Sequence, residues 1–337
     1  MKRVLEAKTI LRAMRIQRMV AVRSAMARTM MRHESVMVGE VMGALNLRPG
    51  SVAVDGTLGL GGHAAQMLKA VAPGGAVIGL DWDASMLAEA RARLGEPAGV
   101  RLHLVHASFE QISSVLGELG LKADGILLDL GLNSAQVDDA ARGLSFHGLG
   151  PLDMRMDVTR GEPASALLNR AAPGEIERVL SEFGDERWAR AIAKAVVERR
   201  RGASLKTTQD LVDCVLAAIP PRAREKRIHP ATRTFQAVRI WVNGELDLLE
   251  GALRGAARSL APNGVLVVLS YHSGEDRIVK QTFRSLAADE GFEDLSRKPL
   301  VPTPEEVRAN PRARSAKMRV LRQPRPLGAA KTQGRES

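Results

Sequence analysis

Apolar residues change their spacing several times along the chain, and each change marks an element. Val52-Ala53-Val54, Ala76 to Leu80 and Gly125 to Leu128 are short unbroken apolar runs, Val100 to Val105 alternates, and Gly264 to Ser270 is again nearly continuous. Runs of this length, rich in Val, Ile and Leu and flanked by glycine, predict buried strands of a mainly parallel sheet. Helical spacing occupies Val36 to Leu47, a stretch opening at Ala64, and Ser85 to Leu94. Strand and helix therefore alternate, the signature of an α/β fold. The alternation then stops. About 130 residues separate the fourth strand from the fifth, where a crossover usually needs a few dozen. That interval holds helical patterns at Pro173 to Phe183, Glu186 to Arg201, Thr208 to Ile219 and Thr234 to Leu260. The last is expected to return the chain to the sheet as one crossover helix, and residues 140–230 to form a helical insertion at the ligand edge.

The first strand leads into Asp55-Gly56-Thr57-Leu58-Gly59-Leu60-Gly61-Gly62-His63-Ala64, with four glycines in seven positions. A strand, a glycine turn and a helix in that order bring bare backbone against a nucleotide-type ligand. Gly59, Gly61 and Ala64 fit a dinucleotide fingerprint, and an acid follows about twenty residues on. Asp55 turns the choice of ligand, because a carboxylate at the mouth of the first strand repels a pyrophosphate and attracts the ammonium and sulfonium of S-adenosylmethionine. A turn-capping role would also account for it. Asp81 ends the second strand, where it can accept hydrogen bonds from ribose hydroxyls, and Asp129 ends the fourth. Phe109 leaves the third strand beside the expected adenine position, or else belongs to the core.

Composition narrows the picture further. The chain has 337 residues, 45% hydrophobic and only 3% aromatic, so it can build a large core but few stacking platforms for single-stranded nucleic acid. One cysteine, Cys214, excludes an intramolecular disulfide and a zinc cluster. No apolar run reaches membrane-spanning length. The net charge of +11 is concentrated at the ends: residues 1–32 and 297–337 carry +8 each, leaving −5 between them. Basic termini around an acidic body suit a polyanion such as RNA, and solvated tails would look the same. Residues 1–32, rich in Arg, Met and Ala, read as an upstream extension of a bacterial reading frame in preference to a mitochondrial transit peptide.

Eight motifs in order identify the remainder. They are Val54-Asp55-Gly56-Thr57 with Gly61-Gly62-His63; Ile78 to Asp81; Leu127 to Gly131; Gln136 to Asp139 with Arg142-Gly143; Gly150-Pro151-Leu152-Asp153-Met154-Arg155-Met156-Asp157; His229 to Ala237; Tyr271 to Arg277; and Asn310 to Lys317. Over about His33 to Val320 the chain resembles the ribosomal RNA small-subunit methyltransferase H family. The resemblance implies a Rossmann-like class I methyltransferase sheet with a helical insertion domain, S-adenosylmethionine as methyl donor, and N4 of a 16S rRNA cytidine in the small subunit's decoding centre as acceptor. It implies a split methyltransferase domain over 33–139 and 231–325, an insertion over 140–230, and tails at 1–32 and 326–337. It assigns Gly61, Gly62 and His63 to the donor-binding turn, Asp81 to the ribose, Phe109 to the adenine, and Asp129 and Gln136 to the closing of the pocket. Two segments depart from the family pattern: Leu132-Asn133-Ser134-Ala135-Gln136 where Val-Ser-Ser-Pro-Gln is usual, and Tyr271-His272-Ser273-Gly274-Glu275 where Phe-His-Ser-Leu-Glu is usual.

An exocyclic amine is a poor nucleophile, so transfer needs an acceptor for its N–H. The Pro-Pro-Tyr segment that many amino-methyltransferases place after the fourth strand is absent here, and Asp129 and Asp153 are the two candidates. Arg155, His229, Arg233 and Arg239 are candidates to hold RNA near an extruded base, and Arg312 and Arg314 with Lys317 to form a basic RNA-facing edge. For the first four a helix-surface or capping role accounts for the residue equally well. Ser273-x-x-Asp276 reads as the cap of a helix that follows the fifth strand. The expected partners are small-subunit rRNA, with no metal and no membrane; the expected place is the bacterial cytoplasm, and a dimer is one option for the assembly. A nicotinamide-dependent oxidoreductase and a non-catalytic rRNA-binding assembly factor are the competing readings.

Overall fold

The computed structural model describes residues 35–131, 140–146, 148–225 and 228–325. Helix α1 (Val38–Leu45) precedes β1 (Val52–Asp55), α2 (Gly62–Val71), β2 (Ala76–Asp81), α3 (Ala84–Leu94), β3 (Arg101–His106), α4 (Ile112–Glu118) and β4 (Ala123–Asp129). Among the described residues five helices follow without a strand: α5 (Ala164–Arg170), α6 (Pro173–Gly184), α7 (Ala189–Gly202), α8 (Thr208–Ala218) and α9 (Thr232–Asn243). Helix α10 (Glu245–Arg258), β5 (Leu260–Ser270), α11 (Ser273–Asp289), β6 (Glu293–Asp294), α12 (Pro304–Ala309) and β7 (Lys317–Arg322) complete the described chain.

The sheet has seven strands in the order β3-β2-β1-β4-β5-β7-β6. The first five are parallel, and β7 runs antiparallel to β5. Strand order reverses between β1 and β4, which opens a crevice beyond their carboxyl ends. Because side chains alternate across a strand, one sequence feeds two cores. Ile126, Leu128 and Val268 pack on one face against Leu253 of α10 and Phe283 of α11. Leu127, Val267 and Leu269 pack on the other with Val41 of α1 and Met67 of α2.

Two expectations are corrected. The single helix expected from Thr234 to Leu260 is two, broken at Gly244, which has φ 60° and caps both. The insertion is also longer than 140–230. Phe235, Ala237 and Val238 of α9 share a separate core with Leu168, Leu180, Ile192 and Val215, so this helix packs with the lobe. Apolar spacing runs through Gly244 unbroken, which is why the break was invisible, yet the two halves bury their stripes against different cores. The antiparallel strand β7, Lys317–Arg322, was also unforeseen; its first four residues alternate basic and apolar inside the basic stretch 297–337. Cys214 is buried in the lobe, and desolvation pushes its thiol up to about 11, consistent with an inert core residue. Among the described residues no helix is long and apolar enough to cross a membrane.

Candidate active site

A cleft opens where the strand order reverses. Its floor is the turn after β1, at Gly56, Thr57 and Gly59. A Cβ on Gly56 would come within 2.5 Å of Leu128 Cδ2 and 2.9 Å of Ile112 Cδ1, so a larger residue there would have to push both side chains aside. Gly59, at φ 50°, aims its N–H at Asp81 Oδ2 over 2.8 Å, while Asp83 N–H donates to Asp81 Oδ1 over 2.9 Å. The second strand's terminal carboxylate is thereby fixed in the cleft wall. Desolvation raises Asp81 from 3.8 to about 6, against the two backbone hydrogen bonds that lower it. Trp82 and Phe109 supply apolar walls, their ring centroids 6.2 Å apart.

Across the cleft, Asp129 ends β4. Its N–H donates to Thr57 Oγ1 over 2.7 Å, which ties the two central strands together at the site. Oδ1 accepts the Tyr271 hydroxyl over 2.8 Å and Gly131 N–H over 3.3 Å, while Oδ2 lies 3.8 Å from His63 Nδ1. Glu245 and Glu275 complete an acidic lining. Glu275 is 3% exposed and accepts Tyr271 N–H over 2.8 Å, and its Oε1 is 3.0 Å from His272 Nε2. His272, not Ser273, caps α11, paired with Glu275 as a capping box. Gly274 keeps that ring close, since a Cβ there would come within 3.2 Å of His272 Nδ1.

Asp55 does not stand at the cleft mouth. It is 1% exposed, accepts Thr57 N–H over 3.3 Å, and is absent from the lining. The single turn back toward β4 folds the carboxylate under the floor, so it acts on the cleft through its field. Burial raises it to about 6; His63 opposes the shift, and Asp129 and Asp81 add to it, which places the three carboxylates in one cluster. Gly61, Gly62 and His63 likewise stand behind the lining, at the start of α2, where Gly61 (φ 75°) is the cap. His63 Nε2 is 3.0 Å from Val36 O and ties Val36, just before α1, to the turn.

A second cleft, about 900 Å³, lies between the sheet edge and the helical lobe and shares Leu130, Gly131 and Glu275 with the first. Phe146, Phe235, Gln236, Arg239, Tyr271 and Ser315 line it. The segment Asp153 to Met156 joins lobe to sheet: Asn243 binds Met154 O and Met156 N–H, and Arg142 binds Met156 O and Asp83. Met154 is held at φ 63° in this clamp, which puts Met156 into the donor cleft wall.

Most of the basic candidates are already engaged. Both Asp153 oxygens accept from Arg155 at 2.8 Å, which lowers this carboxylate, and Asp153 lines neither cleft. Arg155 also holds Val158 O. His229 stacks on Phe146 at 4.5 Å, Arg233 pairs with Glu225 at 2.9 Å, and Arg239, 8% exposed, is bidentate to Glu245 at 2.8 Å. Arg312 and Arg314 are exposed beside Ser315 of the second cleft. Gln136 and Asn133, together with residues 1–32 and 326–337, lie outside the described residues. Tyr271, Glu275, Glu245 and Trp82 are site residues that pattern reading passed over. Tyr271 and Glu275 stood inside a quoted motif without a role, and Glu245 faces the cleft only because the helix breaks at Gly244. Among the described residues no cluster of His, Cys, Asp or Glu could hold a metal ion.

The cleft's chemistry decides among adenosyl cofactors. Five carboxylates in or under its wall repel a pyrophosphate and attract a sulfonium and an ammonium. The fixed Asp81 suits a ribose diol, and the Trp82 and Phe109 walls suit a flat base. The nicotinamide reading falls on that charge: the chain is an S-adenosylmethionine-dependent methyltransferase. More narrowly, it belongs to the MraW methylase family, whose model matches residues 30–324. It is similar to the ribosomal RNA small subunit methyltransferase H of Symbiobacterium thermophilum, at 46% identity over 86% of this chain and 96% of the relative. The protein of that name from Heliobacterium modesticaldum is 47% identical over 85% of this chain and 97% of its own length. A solved rRNA methylase from Streptococcus thermophilus is similar at a TM-score of 0.38 and 10% identity, over 86% of this chain and 92% of that one.

Proposed function

We propose that the protein methylates N4 of a decoding-centre cytidine of 16S rRNA in the bacterial small ribosomal subunit. The observation that carries this is the meeting of an acidic donor cleft and a lobe-side cleft at Leu130, Gly131 and Glu275, directly beside Asp129 of the donor cleft. The names of the relatives, and their bacterial sources, support the substrate and a cytoplasmic place of action.

When bound, S-adenosylmethionine supplies a methyl group on a positively charged sulfur. Asp81 holds the ribose hydroxyls, and Trp82 and Phe109 flank the base. Asp55 and Glu245 add negative potential without needing contact. The target base enters from the lobe side, between Phe146, Tyr271 and Leu130, drawn out of its stack as chemistry on a base requires. Asp129 accepts an N–H of the amine through Oδ2 and takes the proton as the nitrogen gains carbon. Asp153 is set aside as the acceptor, because Arg155 occupies both its oxygens. Arg312 and Arg314 contact phosphate at the mouth of the second cleft.

The test is transfer of tritium from labelled donor to small subunits lacking the methyl group, followed by nucleoside mass spectrometry. N4-methylcytidine in 16S rRNA is the expected product. Label in another nucleoside, or subunit binding without transfer, overturns the reading, the latter in favour of an assembly factor.

A further inference from the structure

The Tyr271 hydroxyl donates to Asp129 Oδ1 over 2.8 Å, across 142 residues of sequence. The phenol cannot itself act as a base: burial first, and then the charge of Asp129, push its ionisation far above the usual range. It is a donor only. Gly131 N–H takes the same oxygen over 3.3 Å, so Oδ1 is filled from two sides. Oδ2 has His63 Nδ1 at 3.8 Å, beyond hydrogen-bond reach. The two oxygens of one carboxylate are thus made unequal by their neighbours.

The ring is placed as firmly as the hydroxyl. A Cβ on Gly131 would come within 2.7 Å of Tyr271 Cε2, so a larger residue there would push the ring from its place. Its own N–H is held by Glu275 over 2.8 Å. Tyr271 lines the lobe-side cleft and Asp129 the donor cleft, and the hydroxyl reaches through the wall between them.

We infer that Tyr271 is a positioning residue for methyl transfer: its hydroxyl fixes the rotation of the Asp129 carboxylate so that Oδ2 is the oxygen presented to the target amine. This rests on the reading of Asp129 as proton acceptor. In the step it serves, the amine nitrogen forms its bond to carbon, the bond from carbon to sulfur breaks with the electron pair leaving on sulfur, and one amine proton passes to Oδ2. Without the hydroxyl the carboxylate is free to rotate, and the oxygen that must receive the proton is no longer preset.

Tyr271→Phe removes one oxygen and keeps the ring on Gly131. Single-turnover methylation of small subunits, donor binding by calorimetry and thermal melting are measured for wild type, Tyr271→Phe, Asp129→Asn and the double variant. The expected result is a transfer rate about tenfold lower in Tyr271→Phe, a fraction of what general acid–base catalysis contributes. Donor affinity stays within about twofold, and the second substitution costs nothing further on top of Asp129→Asn. A fall of less than about threefold overturns the inference. So does a fall matched by equally weakened donor binding and melting, or one that multiplies with Asp129→Asn. No transfer to cytidine by the wild type removes the reading beneath it, and full activity of Asp129→Asn removes Asp129 itself; both differ from failure of Tyr271 alone.

Discussion

At the scale of single residues the site is governed by carboxylates forced to share one poorly hydrated place. Asp55 has its folded pKa raised from 3.8 to about 6 by burial. A raised carboxylate pKa means the folded state binds more protons than the unfolded state between those values. The protein should therefore lose stability as pH climbs from about 4 to about 6, with the full cost of the buried charge present above that window. Two pH units correspond to about 3 kcal/mol. Asp55→Asn keeps an acceptor for Thr57 N–H and removes the charge. Urea denaturation should find it more stable than wild type by about 2 kcal/mol at pH 8 and no different at pH 4. Weaker binding of the cationic donor should accompany the gain. Equal stability at pH 8 would mean that Asp55 is hydrated or neutral there.

At the scale of elements, the break between α9 and α10 is the feature that couples lobe to sheet. Asn243, just before Gly244, binds Met154 and Met156, and Glu245, just after it, binds Arg239 and faces the donor cleft. Gly244 has φ 60° and nothing within 4 Å of a built Cβ, so a substitution there meets no clash, only the left-handed backbone. Gly244→Ala should cost about 1–2 kcal/mol, seen as a lower urea midpoint. Donor affinity should fall with it as Glu245 and the Asn243 clamp shift together. An unchanged midpoint would show that the break tolerates a right-handed residue.

At the scale of the whole molecule the cluster of carboxylates makes donor binding a pH-dependent event. Asp81, like Asp55, sits near pKa 6 in the free protein, raised by desolvation. Below that pH the protonated acids lose their hold on a cation, and above it they keep it. Affinity for S-adenosylmethionine, measured by calorimetry, should weaken by about tenfold from pH 7.5 to pH 5, one pKa unit's worth of interaction. Binding near pH 6 should release protons into the buffer. A flat profile would mean that the cleft's field comes from Asp129 and the two glutamates alone.

Much of this was legible in the chain. Five parallel strands, the glycine turn and the strand-end carboxylates Asp81 and Asp129 follow from apolar runs ending in acids, because a two-residue alternation and a buried β run leave few other solutions. What a side chain touches across a hundred residues is not written in spacing. The burial of Asp55 under the turn, the pairing of Asp153 with Arg155, and the reach of Tyr271 through the wall to Asp129 depend on how lobe and sheet pack. Helix α9 reads like its neighbour α10 until the Gly244 break sends the two apolar faces to different cores. Local sequence determined the elements and the charge at their ends; tertiary packing decided which carboxylate oxygen was left open, since solvation and hydrogen-bond partners are set by neighbours in space.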